Sequence, residues 1–174
     1  HVQTFEQSFA AWLGAEHCVG VGNGLDALVI ALQALNIGEG DEVIVPANTF
    51  IATWLAVSRV GAVPVPVEPL LDTYNINVSE ISEKITERTK AIVPVHLYGQ
   101  AANMEAVMQV AAKHSLYVIE DFAQSQGATW AGKATGTFGH ISATSFYPGK
   151  NIGAMGDAGA IVTSSADLYR NALL

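Results

Sequence analysis

The sequence predicts an α/β domain with a mostly parallel sheet flanked by helices. Three observations carry this. Segments of strand character alternate regularly with segments of helical spacing, and the connections are short. Half of the residues are hydrophobic and only 14% are charged, as expected of a large sheet covered on both faces or of apolar surface that belongs against a partner or a further domain. No internal repeat, low-complexity tract or linker interrupts the 174 residues, so they form one domain with a substantial core.

Taken in order, Phe5, Phe9, Trp12 and Leu13 share one face of a first helix, which Gly14 ends. His17 to Val21 reads as a short strand, Gly22-Asn23-Gly24 as a turn and Leu25 to Leu35 as a helix. Asp41 to Pro46 is a buried strand with charges at its mouth, and Phe50 to Val60 a helix closed by Gly61. Val63 to Val67 is extended, and Pro64 and Pro66 place it at a sheet edge, because proline has no N–H for a neighbouring strand. After a loop over Leu71 to Asn77, a helix runs from Val78 to Thr86, capped by Asn77 or Ser79. Lys90 to Val95 (strand), Met104 to His114 (helix) and Leu116 to Glu120 (strand) follow, then a loop from Asp121. Strands over Ile141 to Phe146 and Ala158 to Thr163 precede a helix that begins at Asp167.

The formal charge of −8, with no run of Lys or Arg, disfavours nucleic acid and anionic membranes as partners. The single cysteine, Cys18, excludes an internal disulfide, reads as a small buried residue and fits a reducing cytoplasm. The first residues have no basic start and no apolar signal core, and no apolar run is long enough to span a membrane. The five histidines lack metal-ligand spacing, so no metal site is expected. The chain starts inside one helical pattern and stops inside another, so it reads as a piece of a longer protein.

In a parallel α/β sheet, ligands sit outside the carboxyl ends of the strands. Four such junctions carry candidates. Gly22 to Ala27 (G-N-G-L-D-A) opens a helix, where glycines and free N–H groups suit a phosphate. Phe50, in P-A-N-T-F, is placed to face a planar ring. Glu120 and Asp121 end an apolar strand, where a carboxylate can hold a proton on a ring nitrogen, and Gln124 follows to bond a ring oxygen. Ser145 and Lys150 lie in S-F-Y-P-G-K, and Ser145 can donate to a phosphate. Lys150 sits in the most apolar, glycine-dense stretch, where desolvation would favour the free amine that attacks carbonyls. A phosphate cradle, a stacking ring, an acid and an imine-forming lysine are together what pyridoxal phosphate requires. His96, after the strand ending at Val95, and Tyr147, beside Ser145, are candidates for contacting the substrate.

The segments G-N-G-L-D-A-L, V-I-V-P-A-N-T-F-I-A-T, P-V-H-L-Y-G-Q, V-I-E-D-F-A-Q-S-Q-G-A and S-F-Y-P-G-K-N-I-G-A-M-G-D-A-G-A cover almost the whole chain. In kind and order they resemble the DegT/StrS family of nucleotide-sugar aminotransferases, most closely the branch that aminates C3 of dTDP-linked 3-keto-6-deoxyhexoses. The resemblance implies the large domain of the pyridoxal 5′-phosphate-dependent transferase fold, aspartate aminotransferase-like and of fold type I. In its terms residues 1–174 are the cofactor-binding large domain, without the N-terminal loop and the smaller C-terminal domain. It implies Lys150 as the Schiff-base lysine that also moves the proton, Asp121 on the pyridine nitrogen, Gln124 on the ring oxygen and Phe50 stacked on the ring. Ser145 and the backbone of Gly24 and Leu25 would hold the phosphate. It further implies glutamate as amino donor and a homodimer whose two subunits share each site. The chain departs from the family pattern at Gln126, where histidine is frequent, and at Leu25, where threonine is frequent, which leaves phosphate binding more to backbone N–H groups.

Other readings use the same residues. A 3-dehydratase on this scaffold has histidine in place of the lysine, and Lys150 speaks against it. A nicotinamide-binding protein using Gly22 to Ala27 would carry an acid where Pro46-Ala47-Asn48 stands. A truncated homologue serving as a binding or regulatory module would have no need of both Lys150 and Asp121.

Overall fold

The alternation is realised as seven strands in one twisted sheet, seen in a computed structural model that describes all of residues 1–174. The strands are β1 (His17–Val21), β2 (Glu42–Pro46), β3 (Val63–Val67), β4 (Thr89–Ile92), β5 (Tyr117–Asp121), β8 (Ile141–Ser145) and β9 (Gly159–Thr163). Between β5 and β8 lies a small hairpin of β6 (Thr129–Trp130) and β7 (Lys133–Ala134). The sheet order is β1-β9-β8-β5-β4-β2-β3. Only β9 runs against the others, pairing antiparallel with β1 and β8. The proline-bearing β3 is an edge strand, as its sequence predicts, and β1 is the other.

The helices are α1 (Val2–Leu13), α2 (Gly24–Ala34), α3 (Ala52–Arg59), α4 (Val78–Lys84), α5 (Met104–His114) and α6 (Ala166–Asn171). Side chains of Asn23, Asn77, Asn103 and Ser165 cap the first turns of α2, α4, α5 and α6 by accepting backbone N–H bonds. Gly14 ends α1 in the left-handed conformation at φ 79°. α3 starts later than its spacing predicts, at Ala52, so Phe50 and Ile51 stay outside the helix.

Alternation along the strands divides the core into two faces. Val43, Val45, Ala91, Val93, Ile119, Ala143 and Ile161 pack under α2 and α3. Ile44, Ile92 and Val118 pack on the other side against residues of α4 and α5. Each of the buried valine and isoleucine side chains among them contributes about 1.5–3 kcal/mol relative to exposure, and each alanine less. On the same side as α1, an aromatic cluster joins Phe9 to Phe122 and Phe146, with Cys18 beneath it. Burial pushes the Cys18 thiol up to about 12, which makes it an inert core residue. No helix is long and apolar enough to cross a membrane.

This two-faced arrangement decides what the strand ends present. Residues in step with Ile119 point toward α2 and α3, and those in step with Val118 point toward α5. Asp121 takes the first face and Glu120 the second.

Candidate active site

A cavity of about 580 Å³ opens at the carboxyl ends of β1, β2, β5 and β8, on the α2/α3 face. The structure brings Gly24, Leu25, Phe50, Asp121, Gln124, Ser145, Tyr147 and Lys150 together on its walls, from four separate parts of the chain. His96 is not among them.

Asp121 forms the floor. It is 6% exposed, and its Oδ2 accepts from the Thr53 hydroxyl at 2.9 Å while Oδ1 accepts from the Ala123 N–H at 3.2 Å. Burial raises its carboxyl above the usual range; the two hydrogen bonds and the positive charge of Lys150 oppose that rise. A buried carboxylate with one donor on each oxygen retains acceptor capacity for a further N–H.

Lys150 approaches from the loop after β8. Its backbone N–H bonds Tyr147 O at 2.8 Å, and its Nζ stands 5.9 Å from the centre of the Phe50 ring. The residue is half-buried, so the loop shelters the amine without sealing it from water. Phe50, 66% exposed at the cavity wall, is no core phenylalanine. An exposed ring held opposite a lysine and a buried acid makes a flat wall for a planar ligand.

The Gln124 carbonyl Oε1 accepts from the Tyr98 N–H at 2.9 Å. That bond orients the side-chain amide and leaves its NH₂ as the donor available to the cavity. Tyr98 holds a left-handed φ of 56° to deliver this N–H, an uncommon conformation for an aromatic residue.

The fourth wall is the start of α2 against the end of β8. The Asn23 side chain caps the Asp26 N–H at 2.8 Å and Ala27 bonds Asn23 O, so the N–H groups of Gly24 and Leu25 are the first-turn donors left for a ligand. The Ser145 hydroxyl lies beside them and accepts from the Tyr147 N–H at 3.2 Å, which leaves its own hydrogen to give. Close approach requires glycine at two places here. A Cβ on Gly24 would lie 2.6 Å from Ser145 Cβ, and one on Gly159 would lie 2.5 Å from the backbone of Asn23.

His96 is a correction to the sequence reading. It is fully buried on the opposite face, where Nδ1 accepts from the Ala102 N–H at 3.0 Å and Nε2 lies 2.9 Å from Glu120 Oε2. Both ring nitrogens are engaged, so nothing remains for a substrate. The reason is alternation: Val95, bridged to Asp121, points into the cavity, and the next residue points away. Tyr147 does reach the cavity wall and is 57% exposed.

Three further residues bear on the site: Thr53 and Arg59, which the sequence did not single out, and Gln126, which it marked only as a departure from the family pattern. Thr53 supports Asp121. Gln126 donates from Nε2 to Thr144 Oγ1 at 2.7 Å and to Ser145 O at 2.9 Å, which ties down the end of β8. Arg59 lies at the far end of the cavity, 3.7 Å from Asp26. The spacing of Thr49 and Thr53, one helical turn apart and following a buried strand, was the available signal for the first. No group of three or more His, Cys, Asp and Glu side chains is placed to hold a metal ion.

Comparison with known proteins gives concordant results. The model of the DegT/DnrJ/EryC1/StrS aminotransferase family matches residues 1–174. The chain is 56% identical over 167 residues to the dTDP-3-amino-3,6-dideoxy-alpha-D-galactopyranose transaminase of Aneurinibacillus thermoaerophilus, covering 96% of this chain and 46% of that protein. It is 53% identical over 166 residues to the erythromycin biosynthesis sensory transduction protein EryC1 of Saccharopolyspora erythraea, covering 95% and 45%. Among solved structures, DesV of S. venezuelae, crystallised in complex with a ketimine intermediate, superposes with a TM-score of 0.96 at 49% identity, covering 98% of this chain and 46% of that one. The chain thus spans somewhat less than half the length of the relatives it matches.

Proposed function

The chain belongs to the DegT/DnrJ/EryC1/StrS aminotransferase family, and on that premise we propose that it is the cofactor-binding large domain of a pyridoxal 5′-phosphate-dependent sugar aminotransferase. Its acceptor is a nucleotide-linked keto sugar, a dTDP-3-keto-6-deoxyhexose by similarity to the A. thermoaerophilus transaminase. The amino donor is glutamate, the product a deoxyamino sugar, the working form a homodimer with shared sites, and the compartment the cytoplasm.

One observation carries this reading: Lys150, Phe50 and the buried Asp121 line one cavity together with the start of α2. The residues present fit the cofactor by their chemistry. The N–H groups of Gly24 and Leu25 and the Ser145 hydroxyl suit a phosphate, at a close approach of backbones that a Cβ on Gly24 would close. Phe50 would stack on the ring, Asp121 would accept from its nitrogen, and Gln124 would donate to its oxygen. When bound, pyridoxal phosphate supplies an electron sink for the bond that breaks at the amino carbon.

The chain's own part is to hold and move protons. Asp121, buried and pinned by Thr53 and Ala123, would accept from the ring nitrogen and hold a proton there. Lys150 Nζ is the amine that would hold the cofactor's aldehyde and, when free, would serve as the base that moves a proton at the substrate carbon. Phe50, on the cavity wall, would shield one face of the ring from water. Tyr147, on the exposed rim, is the candidate for touching the sugar.

The name of the S. erythraea relative speaks for a regulatory reading; the joint presence of Lys150 and Asp121 in one cavity supports the enzyme. In the full-length protein incubated with pyridoxal 5′-phosphate, borohydride treatment should fix the cofactor to the peptide containing Lys150, and Lys150→Ala should abolish it. Amination of 3-keto and 4-keto nucleotide sugars then identifies the acceptor. Cofactor fixed equally well in Lys150→Ala would sink the proposal.

A further inference from the structure

We infer that Thr49 and Thr53 form a two-hydroxyl relay that positions the Asp121 carboxylate for the cofactor's ring nitrogen, with Thr53 the positioning residue in contact with it. The inference rests on the reading of Asp121 given above.

The Thr53 hydroxyl is 2.9 Å from Asp121 Oδ2, between two buried residues 68 positions apart in the chain. A hydroxyl inside a helix ordinarily bonds the carbonyl one turn back, as Ser58 of the same helix does with Trp54 O at 3.2 Å. Thr53 instead reaches across to β5. Its Oγ1 is also 3.0 Å from Thr49 Oγ1, on a half-buried residue of the cavity wall.

The protons along this line have a fixed sense. An ionised carboxylate only accepts, so the Thr53 hydrogen is committed to Asp121. The remaining bond must then be given by Thr49. While Asp121 is charged, the relay runs from the cavity wall inward and ends on Oδ2. With Ala123 N–H on Oδ1, each oxygen has one fixed donor and the carboxylate plane is set. Two other titratable groups act on Asp121: Lys150 from the loop after β8 on its own side, and His96 by charge alone from the opposite face of the sheet, its ring held by Glu120 and Ala102. Neither makes a side-chain hydrogen bond to the carboxylate, so Thr53 supplies its only side-chain donor.

The test is a carbon-13 carboxyl titration of Asp121 in the full-length protein without cofactor. Thr53→Val, which keeps the shape and removes the hydroxyl, should raise the Asp121 midpoint by about one pH unit or more. Thr53→Ser should restore it toward wild type. Thr49→Val should displace it in the same direction by less, and reads the relay even where Thr53→Val does not fold. An unmoved midpoint in Thr53→Val, or an equal displacement in Thr53→Ser, overturns the role of the Thr53 hydroxyl. An unmoved midpoint in Thr49→Val overturns the relay. Nitrogen-15-labelled pyridoxal 5′-phosphate separates the premise: a ring-nitrogen signal identical in wild type and Asp121→Asn would refute the assignment of Asp121, whatever the cofactor-free titration shows about the two threonines.

Discussion

Glu120 and Asp121 are adjacent on one strand, both buried, and face opposite sides of the sheet into different surroundings. Glu120 accepts from the N–H groups of Phe138 and Gly139 on Oε1 and of Gly136 on Oε2, where the His96 ring also bonds. Asp121 has two protein donors and a cavity in front of it. The satisfied carboxylate organises the turn that leads into β8. The under-satisfied one retains capacity for a ligand. Among buried acids, unfilled hydrogen-bonding capacity, more than burial, marks the functional one.

The comparison breaks if the two respond alike to loss of charge. Glu120→Gln should be the largest effect on folding. An amide must turn its NH₂ toward backbone N–H groups that then meet a donor in place of an acceptor, which costs roughly 3–5 kcal/mol in urea unfolding. Asp121→Asn should leave stability unchanged or slightly raised, because burial disfavours its charge. The same substitution should lower kcat/KM of the full-length enzyme by ~10²–10³-fold, the scale of losing one preorganised electrostatic contact. Equal stability losses in both variants would remove the distinction.

Much of this was legible in the residues, for identifiable reasons. The prolines of β3 announced an edge, and helical spacing marked Phe9 and Leu13 as residues that α1 buries, although Phe5 and Trp12 of the same expected face stay exposed. Junction residues at strand ends converged because parallel strands deliver their carboxyl ends to one side. What failed was facing. His96 and Val95 are consecutive, and the sequence does not say which of them looks into the cavity until the sheet fixes the register. Thr53 was hidden for another reason: a threonine in an amphipathic helix looks the same whether it bonds its own turn or another strand. The β6–β7 hairpin, with two residues per strand, is too short to show a period.

A smaller effect sharpens the same contrast at the proposed phosphate wall. Gly24→Ala forces its new Cβ against Ser145. The shift should cost about 1–3 kcal/mol of cofactor affinity, read as a Kd raised tenfold or more. Gly156→Ala, where a Cβ meets open space, should leave the Kd unchanged. If both behave alike, the α2–β8 contact is not the phosphate wall.

The smallest effect is a pH slope, and its sign separates Asp121 from a third buried acid. Glu42, at the opposite end of the sheet, is held below the usual carboxylate range by the Thr86 hydroxyl and by Arg88. Below its ordinary value the unfolded chain binds a proton that the folded one does not. Its contribution is therefore present above that value and lost as pH falls through the lowered one. Asp121 is raised by burial, so between its ordinary value and the raised one the folded state holds the extra proton. Stability must then decline as pH rises across that interval. Denaturation curves of the cofactor-free protein at a series of pH values should show both slopes. Glu42→Gln should remove the rising limb and Asp121→Asn the falling one. A falling limb that survives in Asp121→Asn would mean that the cavity floor is solvated enough to ionise freely, and the contrast with Glu120 would then lie in geometry alone.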